Sequence, residues 1–227
     1  MRRSDVMYVA IGLAGAVVGG CGSATSIGLQ VQHELHRVRQ KTLRRGTEVP
    51  GGYRDTLCAI AMAQAYAGAP DGALETLAQC PEPTCGPRLF QALLESRHLE
   101  AAERLLADAG TGEGPADLAA RWADLAVAYA TRGRPTDVGR AARRAEAILC
   151  RLPAIESVRV LSRLAFAHRI HDVGASASAL QRAQALVEAM PPERIAGRAV
   201  AWCSLAEAMP PSTGRKTPDV RWPKPRP

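Results

Sequence analysis

Aromatic residues are scarce in this sequence. Phe, Trp and Tyr make up 4% of the 227 residues, whereas hydrophobic residues together make up 47%. The apolar material is therefore mainly Ala, Leu and Val, and such small side chains fill a core only where backbones approach closely. Packed helices allow that approach, and Ala and Leu are good helix formers. Because no stretch shows the alternating β-branched and aromatic pattern of a strand, the sequence predicts an all-α protein.

The usual signatures of catalysis are also missing. There is no Gly-rich phosphate loop ending in Lys and Ser or Thr, no Gly-x-Ser-x-Gly and no His-Glu-x-x-His. His33 and His36 stand three residues apart without a third ligand, and we interpret them as solvated helix residues. His168 aligns with Tyr129 in the repeat described below, which favours a place in the core. We therefore expect no catalytic residue, no metal and no cofactor.

No two of the six cysteines form a CxxC pair, which excludes the zinc-ribbon and thioredoxin patterns. Cys80 and Cys85 flank a short Pro-containing turn at residues 81–84. They are either two free thiols beside the turn or a local disulfide, which would require an oxidising compartment. The sequence leaves both interpretations open.

Positive charge is concentrated at the two ends of the chain. The net charge is +7, yet residues 1–45 hold seven Lys or Arg against two acids, and residues 211–227 hold five against one. The residues between them are slightly acidic. Since a nucleic-acid-binding domain carries its basic face on the folded body, we expect no specific nucleic-acid partner. Loose contact of the basic ends with anionic surfaces stays open.

Residues 1–25 allow two interpretations. Two arginines precede a mostly apolar run at residues 6–18, and two glycines precede Cys21. This order is typical of a secretory signal, and residues 18–21 resemble the lipobox of bacterial lipoproteins, in which Cys21 would be lipidated and would anchor the chain to a membrane. The apolar run is shorter than the ~20 residues of a membrane span. Asp5 and the glycines within the run favour the alternative, an apolar N-terminal helix packed on the protein.

Helix-breaking residues divide the rest of the chain. Apolar residues at steps of three and four predict an amphipathic helix, followed by a loop, over residues 26–52. Over residues 53–209, clusters of Pro and Gly separate about nine further helices, because both residues end helices for backbone reasons. Residues 210–227 are basic and rich in Pro and have little apolar surface, which predicts a disordered tail.

The most specific signal is a repeat within residues 53–209. A segment with a large residue, then Leu, Ala and Tyr, spans residues 122–129. Similar segments stand at residues 59–66, 161–168 and 202–209. Leu125 and its counterparts Leu164 and Leu205 are 39 and 41 residues apart. A fixed period of this size is the signature of a repeat architecture.

A second helix repeats with nearly the same period. Residues 144–149 match residues 182–187 at an interval of 38, and the longer gap between the first two copies leaves room for a shorter hairpin at about residues 89–109. Each helix carries an apolar stripe at steps of three and four. One hairpin cannot cover both of its stripes, so neighbouring hairpins must stack along one axis.

This pattern resembles the tetratricopeptide repeat family, in the divergent, Ala-rich form of high-GC bacteria. Trp122, Leu125, Ala126 and Tyr129 stand at the spacing of that family's first helix, and Gly133 stands at its turn. The period of 38 to 41 residues departs from the family's 34. The resemblance implies a right-handed α-solenoid of antiparallel helix-turn-helix repeats.

In that family the first helices line a concave surface that binds a peptide or helix of another protein. The resemblance therefore implies a non-enzymatic scaffold with a protein or peptide partner and no small-molecule substrate. Carried onto this chain, the inward positions are Gln64, Val127, Ser162, Phe166, Arg169 and Glu207. Phe166 and Arg169 stand out, because aromatic residues and Arg concentrate binding energy. The alternative is an exported, lipid-anchored assembly or structural factor at the bacterial surface, so the location is either cytoplasmic or outward-facing on a membrane.

Overall fold

The computed structural model describes five stretches of the chain, which contain ten α-helices and no strand. These stretches are residues 24–45, 50–80, 83–108, 114–191 and 195–209. The helices are α1 (Ala24–Arg45), α2 (Pro50–Tyr66), α3 (Pro70–Ala78), α4 (Cys85–Glu95), α5 (Leu99–Asp108), α6 (Pro115–Ala130), α7 (Pro135–Leu149), α8 (Ala154–His168), α9 (Val173–Glu188) and α10 (Ile195–Ala208). The all-α prediction is confirmed. Residues 1–23 of the predicted signal segment, including Cys21, and the predicted tail at 210–227 lie outside the described residues.

Proline and glycine set many of the helix boundaries. Pro70, Pro115 and Pro135 each occupy the first turn of a helix, where the missing N–H would be unpaired in any case. Gly68 and Gly133 follow α2 and α6 with φ of 78° and 65°, a region that costs residues with a Cβ about 1–2 kcal/mol. These local effects explain why the helix positions could be predicted from the sequence.

One boundary differs from the prediction. The loop was expected to reach residue 52, whereas α2 begins at Pro50. The physical reason is that proline is favourable in a first helical turn, so the two glycines after it continue the helix instead of the loop. The shorter hairpin expected at about residues 89–109 is present as α4 and α5.

The helices pack in chain order as antiparallel neighbours, and each one contacts the next. We call α2, α4, α6, α8 and α10 the first helices and α3, α5, α7 and α9 the second helices. Contacts also join helices two apart: α2 with α4, α6 with α8, α8 with α10, and α3 with α5. Each of these contacts joins one hairpin to the next. None of the described helices is both long enough and apolar enough to cross a membrane.

The core consists of two large clusters that meet at α8. Val160 and Leu164 belong to the cluster formed with α2 to α7, and Leu161 and Ala165 belong to the cluster formed with α9 and α10. Two opposite sides of α8 are therefore buried. Ala126 is fully buried within the first cluster, as expected of a small residue at a close helix contact. A third, small cluster surrounds three cysteines near the start of α4.

Arginine–carboxylate pairs connect consecutive hairpins on the protein surface. The pairs are Arg104–Asp71 (2.6 Å), Arg140–Glu103 (2.6 Å), Arg182–Glu146 (2.6 Å), Arg163–Asp124 (3.2 Å) and Arg134–Glu100. The partners in these pairs are 33 to 39 residues apart in sequence, which is close to one repeat. Exposed pairs contribute about 0–1 kcal/mol each. Their main effect is therefore on the register between hairpins rather than on total stability.

Candidate partner-binding surface

The six positions predicted to face a partner do not share one exposed surface. They lie on or just after first helices: one on α2, one on α6, two on α8, one directly after α8 and one on α10. In that order they are Gln64, Val127, Ser162, Phe166, Arg169 and Glu207. Two of the six are buried, and the other four are half-buried or exposed.

Gln64 connects two helices instead of facing solvent. Its side-chain Oε1 accepts a 2.7 Å hydrogen bond from the Thr76 hydroxyl on α3, and the residue is 4% exposed. The neighbouring Gly72 leaves little space there, because a Cβ at that position would lie 3.3 Å from Gln64 Nε2. The expectation that Gln64 faces a partner is therefore corrected: its amide satisfies a polar group inside the first hairpin.

Ser162 is also buried, at 5% exposure. It lies on α8, which has α6 on one side and α10 on another. Among the described residues its hydroxyl has no hydrogen-bond partner. The expectation that Ser162 lines an exposed surface is therefore corrected. The helices packed on α8 bury this position, and the sequence of the α8–α9 hairpin alone does not show that burial.

Phe166 and Arg169 lie together at the end of α8. The Arg169 guanidinium carbon is 4.8 Å from the centroid of the Phe166 ring. A cation–π contact of this kind contributes about 0.5–1 kcal/mol at an exposed site. Both residues are half-buried, so the stacked pair has a fixed geometry while part of its surface still faces solvent. Among the described residues, Arg169 has no ion-pair partner.

Two exposed apolar residues follow this pair directly. Ile170 is 61% exposed and Val173 is 75% exposed, the highest values among the large hydrophobic residues that the structure describes. Together with the stacked pair they form what we call the Phe166 surface: Phe166, Arg169, Ile170 and Val173. Sequence reasoning missed both additions. The available signal was the presence of two β-branched apolar residues in and directly after a short turn, where polar residues are usual.

The turn between α8 and α9 is held in place by two contacts near its end. The Asp172 carboxylate accepts a 2.8 Å hydrogen bond from the backbone N–H of Ala175 and so caps α9. His171 Nε2 lies 3.2 Å from the carbonyl oxygen of Ala130 at the end of α6. A cap of this kind contributes about 1 kcal/mol. The exposed apolar residues therefore stand on a fixed turn, which lowers the entropy lost on binding.

Charged residues cross between neighbouring first helices. An ion pair of 3.2 Å joins Arg163 on α8 to Asp124 on α6. Burial raises the pKa of the Asp124 carboxyl, although Arg163 acts in the opposite direction. On the preceding pair of first helices, the Arg121 guanidinium lies 6.0 Å from the Phe90 ring centroid. These contacts fix side chains between hairpins.

A polar network is built around a buried tyrosine. The Tyr129 hydroxyl donates a 2.7 Å hydrogen bond to Glu103 Oε2, and Arg140 binds the same carboxylate at 2.6 and 2.8 Å. The hydrogen bond from Arg140 is the main reason that the pKa of Glu103 is lowered, with Tyr129 adding to it. Burial, followed by the bond to Glu103, raises the pKa of Tyr129. The network connects α5, α6 and α7 and has a structural role.

Two of the surface depressions in the described residues bear on ligand binding. One, of about 170 Å³, is apolar and lies between the start of α8 and the end of α9, lined by Pro153, Ile155 and Met190 among others. The other, of about 370 Å³, is lined by residues of α1 alone, including the exposed His33 and His36. Typical small-molecule sites are concave clefts of ~300–1,000 Å³, so neither has both the size and the enclosure of one.

No arrangement suited to a metal ion occurs within the five described stretches, where no group of three or more His, Cys, Asp or Glu side chains could hold one. Compared with protein-family models, with curated proteins and with solved structures, the chain matches none.

Proposed function

We propose that this chain is a non-enzymatic scaffold that binds a peptide or helix of a partner protein at the Phe166 surface. The observation that carries the proposal is the placement of the two most exposed large apolar residues, Ile170 and Val173, beside a stacked Phe–Arg pair. Aromatic residues and Arg are the residue types that concentrate binding energy in protein interfaces. Of the six positions predicted to face a partner, this proposal keeps Phe166 and Arg169, which lie at the end of α8.

The finer architecture belongs to this proposal as well. We propose that the hairpins form a right-handed, tetratricopeptide-like α-solenoid. Three features support it: chain-order packing, an α8 buried on two sides, and ion pairs that recur at about one repeat. In an array of this kind the first helices line one side. The Phe166 surface then lies at one edge of that side.

The chemistry of the surface indicates what kind of segment would bind. Complete burial of an Ile or Val side chain stabilises a complex by about 1.5–3 kcal/mol. Ile170 and Val173 therefore favour a partner with apolar side chains at helical or extended spacing. Arg169 has donors available for a carboxylate of the partner, and a charge-assisted hydrogen bond is roughly twice as strong as a neutral one. We infer a segment that is mainly apolar and carries an acidic residue.

The experiment is a quantitative pull-down with the full chain and three variants. Phe166→Ala and Arg169→Ala each remove half of the stacked pair. Arg144→Ala, on the second helix α7, removes an exposed arginine of the same type away from this surface. Partners identified by mass spectrometry should decrease at least tenfold with the first two variants and stay unchanged with Arg144→Ala. Circular dichroism checks that all three variants fold.

Two results would refute the proposal. If a partner is retained in full by both Phe166→Ala and Arg169→Ala, the surface does not bind it. If Arg144→Ala reduces binding as much as they do, the effect is one of total charge. Ile170→Asp provides a further test, since a carboxylate on this surface should abolish apolar contact without changing the core.

A further inference from the structure

The last described helix, α10, is a first helix without a second helix. Each of the other first helices is followed by a second helix that packs on it, whereas no helix follows α10 within the described residues. The 18 residues after Met209 contain six prolines, and a proline inside a helix removes a hydrogen bond and clashes with the preceding turn. The sequence of this segment therefore does not predict a helix that could pack on α10.

The packing positions of α6 and α8 recur on α10, but there they are uncovered. The equivalent residues, at steps of four and three, are Ala119, Ala123 and Ala126 on α6, Val158, Ser162 and Ala165 on α8, and Ala199, Cys203 and Ala206 on α10. On α6 and α8 all of these residues are at most 5% exposed, whereas on α10 all three are exposed. On α8, Val158 and Ala165 belong to the cluster formed with α9 and α10. The same positions on α10 therefore lie where further helices would pack.

The composition of α10 also indicates that both of its sides are buried in the assembled protein. Ala201 and Leu205 are fully buried on its inner side, which contacts α8 and α9. The outer side is apolar as well, and Val200 on that side is 43% exposed. Arg198 and Glu207 are the only charged residues of the helix. Because a helix that is apolar all round is normally buried, the outer side of α10 has the composition of an interface.

We propose that the outer side of α10 forms the contact of a homodimer, in which α10 of one chain packs antiparallel on α10 of a second copy. We call the four small exposed residues of this side the α10 face: Ala196, Ala199, Cys203 and Ala206. They stand at steps of three, four and three, which is the spacing of a helix pair that packs along its length. Their small side chains allow the two helix axes to approach to about 8 Å, the lower end of the usual range.

The α10 face is complementary to itself in one antiparallel register. When the two-fold axis passes beside Ala201, Ala196 lies opposite Ala206 of the second copy, and Ala199 lies opposite Cys203 of the second copy. A two-fold interface uses the same patch on both chains, so each residue contact occurs twice. A second copy therefore supplies the small side chains that this face needs for close packing.

Charge favours the antiparallel direction. Glu207 is the only charged residue among the exposed residues of α10, and α10 has no acidic residue in its first turn. In the antiparallel register Glu207 lies beside the first turn of the second copy's helix, where unpaired N–H groups and the helix dipole favour a negative charge. A parallel pair would instead bring the two Glu207 carboxylates together.

Sedimentation velocity of the full chain tests the dimer. We expect the wild type to change from monomer to dimer between about 1 and about 500 µM, because a contact of this size is at the low end of specific interfaces. Ala199→Glu places two carboxylates about 6 Å apart along the helix axis in the centre of the contact, and it should weaken the dimer at least tenfold. Ala147→Glu, the matched control at an exposed position of α7, should leave the dimer unchanged. Circular dichroism checks that both variants fold.

Three results would overturn the proposal. The first is a wild-type chain that stays monomeric over the whole concentration range. The second is a dimer that Ala199→Glu leaves intact. The third is equal weakening by Ala199→Glu and Ala147→Glu, which would show an effect of total charge. Phe166→Ala should keep the dimer, and its loss in that variant would place the contact at the Phe166 surface instead.

Thiol crosslinking tests which residues meet. Of the described cysteines only Cys150 and Cys203 are exposed, since Cys58, Cys80 and Cys85 are buried. In the proposed register the two Cys203 residues lie about 6 Å apart along the helix axis, so a short bis-maleimide should join them. Cys203→Ser should lose the crosslinked dimer, and Cys150→Ser, the matched control, should keep it. A crosslinked dimer that survives Cys203→Ser would overturn the proposal.

A second crosslinking variant tests the direction of the two helices. Ala196→Cys is introduced together with Cys203→Ser. In the antiparallel register the two residues at position 196 lie about 15 Å apart along the helix axis, and they should crosslink at least tenfold more slowly than Cys203 in the wild type. In a parallel pair they would lie side by side. Crosslinking at the wild-type rate would therefore overturn the antiparallel arrangement.

Discussion

Two tyrosines in this protein make the same hydrogen bond in different surroundings, which allows a controlled measurement. The Tyr129 hydroxyl donates to Glu103 at 2.7 Å, and the Tyr66 hydroxyl donates to Glu95 at 2.6 Å. Tyr129 is fully buried, whereas Tyr66 is 55% exposed. Replacement of each tyrosine by Phe removes only the hydroxyl group. A difference between the two variants therefore reports the effect of burial on the bond.

We expect Tyr129→Phe to lower the free energy of unfolding by about 1.5–3 kcal/mol, the range for a hydrogen bond to a charged group. Glu103 is 20% exposed at its side chain, so water replaces the lost donor poorly. Tyr66→Phe should cost less than about 0.5 kcal/mol, as expected of a surface substitution. Urea unfolding followed by circular dichroism measures both values.

The pH dependence gives an independent check on the Tyr129 bond. The pKa of Glu103 is lowered in the folded protein from its ordinary value of 4.5. A group with a depressed folded pKa stabilises the protein above its unfolded pKa and loses that contribution as the pH falls through the folded value. The cost of Tyr129→Phe should therefore be constant above about pH 5 and decrease below the ordinary pKa of a glutamate. Equal costs for the two variants, or a Tyr129 effect independent of pH, would refute this reasoning.

Two further predictions concern packing and the N-terminus. Ala126→Leu places a larger side chain at a fully buried helix contact and should lower stability by about 1–3 kcal/mol through overpacking, which a lower thermal midpoint would show. Ala147→Leu, at an exposed position of α7, should change the thermal midpoint little. Similar midpoints for the two variants would show that the close contact is not needed. If residues 18–21 are a lipobox, cells supplied with radiolabelled palmitate should label the wild-type chain and not Cys21→Ser, and an unlabelled wild type would refute lipidation.

The division of the chain into helices was predictable from the sequence because its causes are local. Proline in first turns and glycine after helix ends act within a few residues, and they located even the short hairpin of α4 and α5. The boundary at Pro50 was wrong by three residues, because two glycines after a proline also fit a loop.

The candidate partner-binding surface was less predictable, because side-chain exposure depends on neighbouring hairpins. Gln64 and Ser162 occupy first-helix positions that the repeat pattern places inward. In the structure Gln64 is hydrogen-bonded to Thr76 of α3, and Ser162 is buried by the packing around α8. Ile170 and Val173 stand outside the repeat pattern, so periodicity gave no information about them. Likewise, the sequence does not show that Cys58 and Cys85 belong to one buried cluster, because that cluster forms only where α2 and α4 pack.

The double burial of α8 affects how the protein loses its structure. Val160 and Leu164 complete one cluster, and Leu161 and Ala165 complete the other. If α9 and α10 detach, one side of α8 becomes exposed to solvent, while the other side still packs against the cluster formed with α2 to α7. Loss of α8 itself exposes apolar side chains of both clusters. We therefore expect unfolding that starts at the C-terminal end to slow at this helix, and amide hydrogens of α8 to exchange with solvent more slowly than those of the helices that follow it.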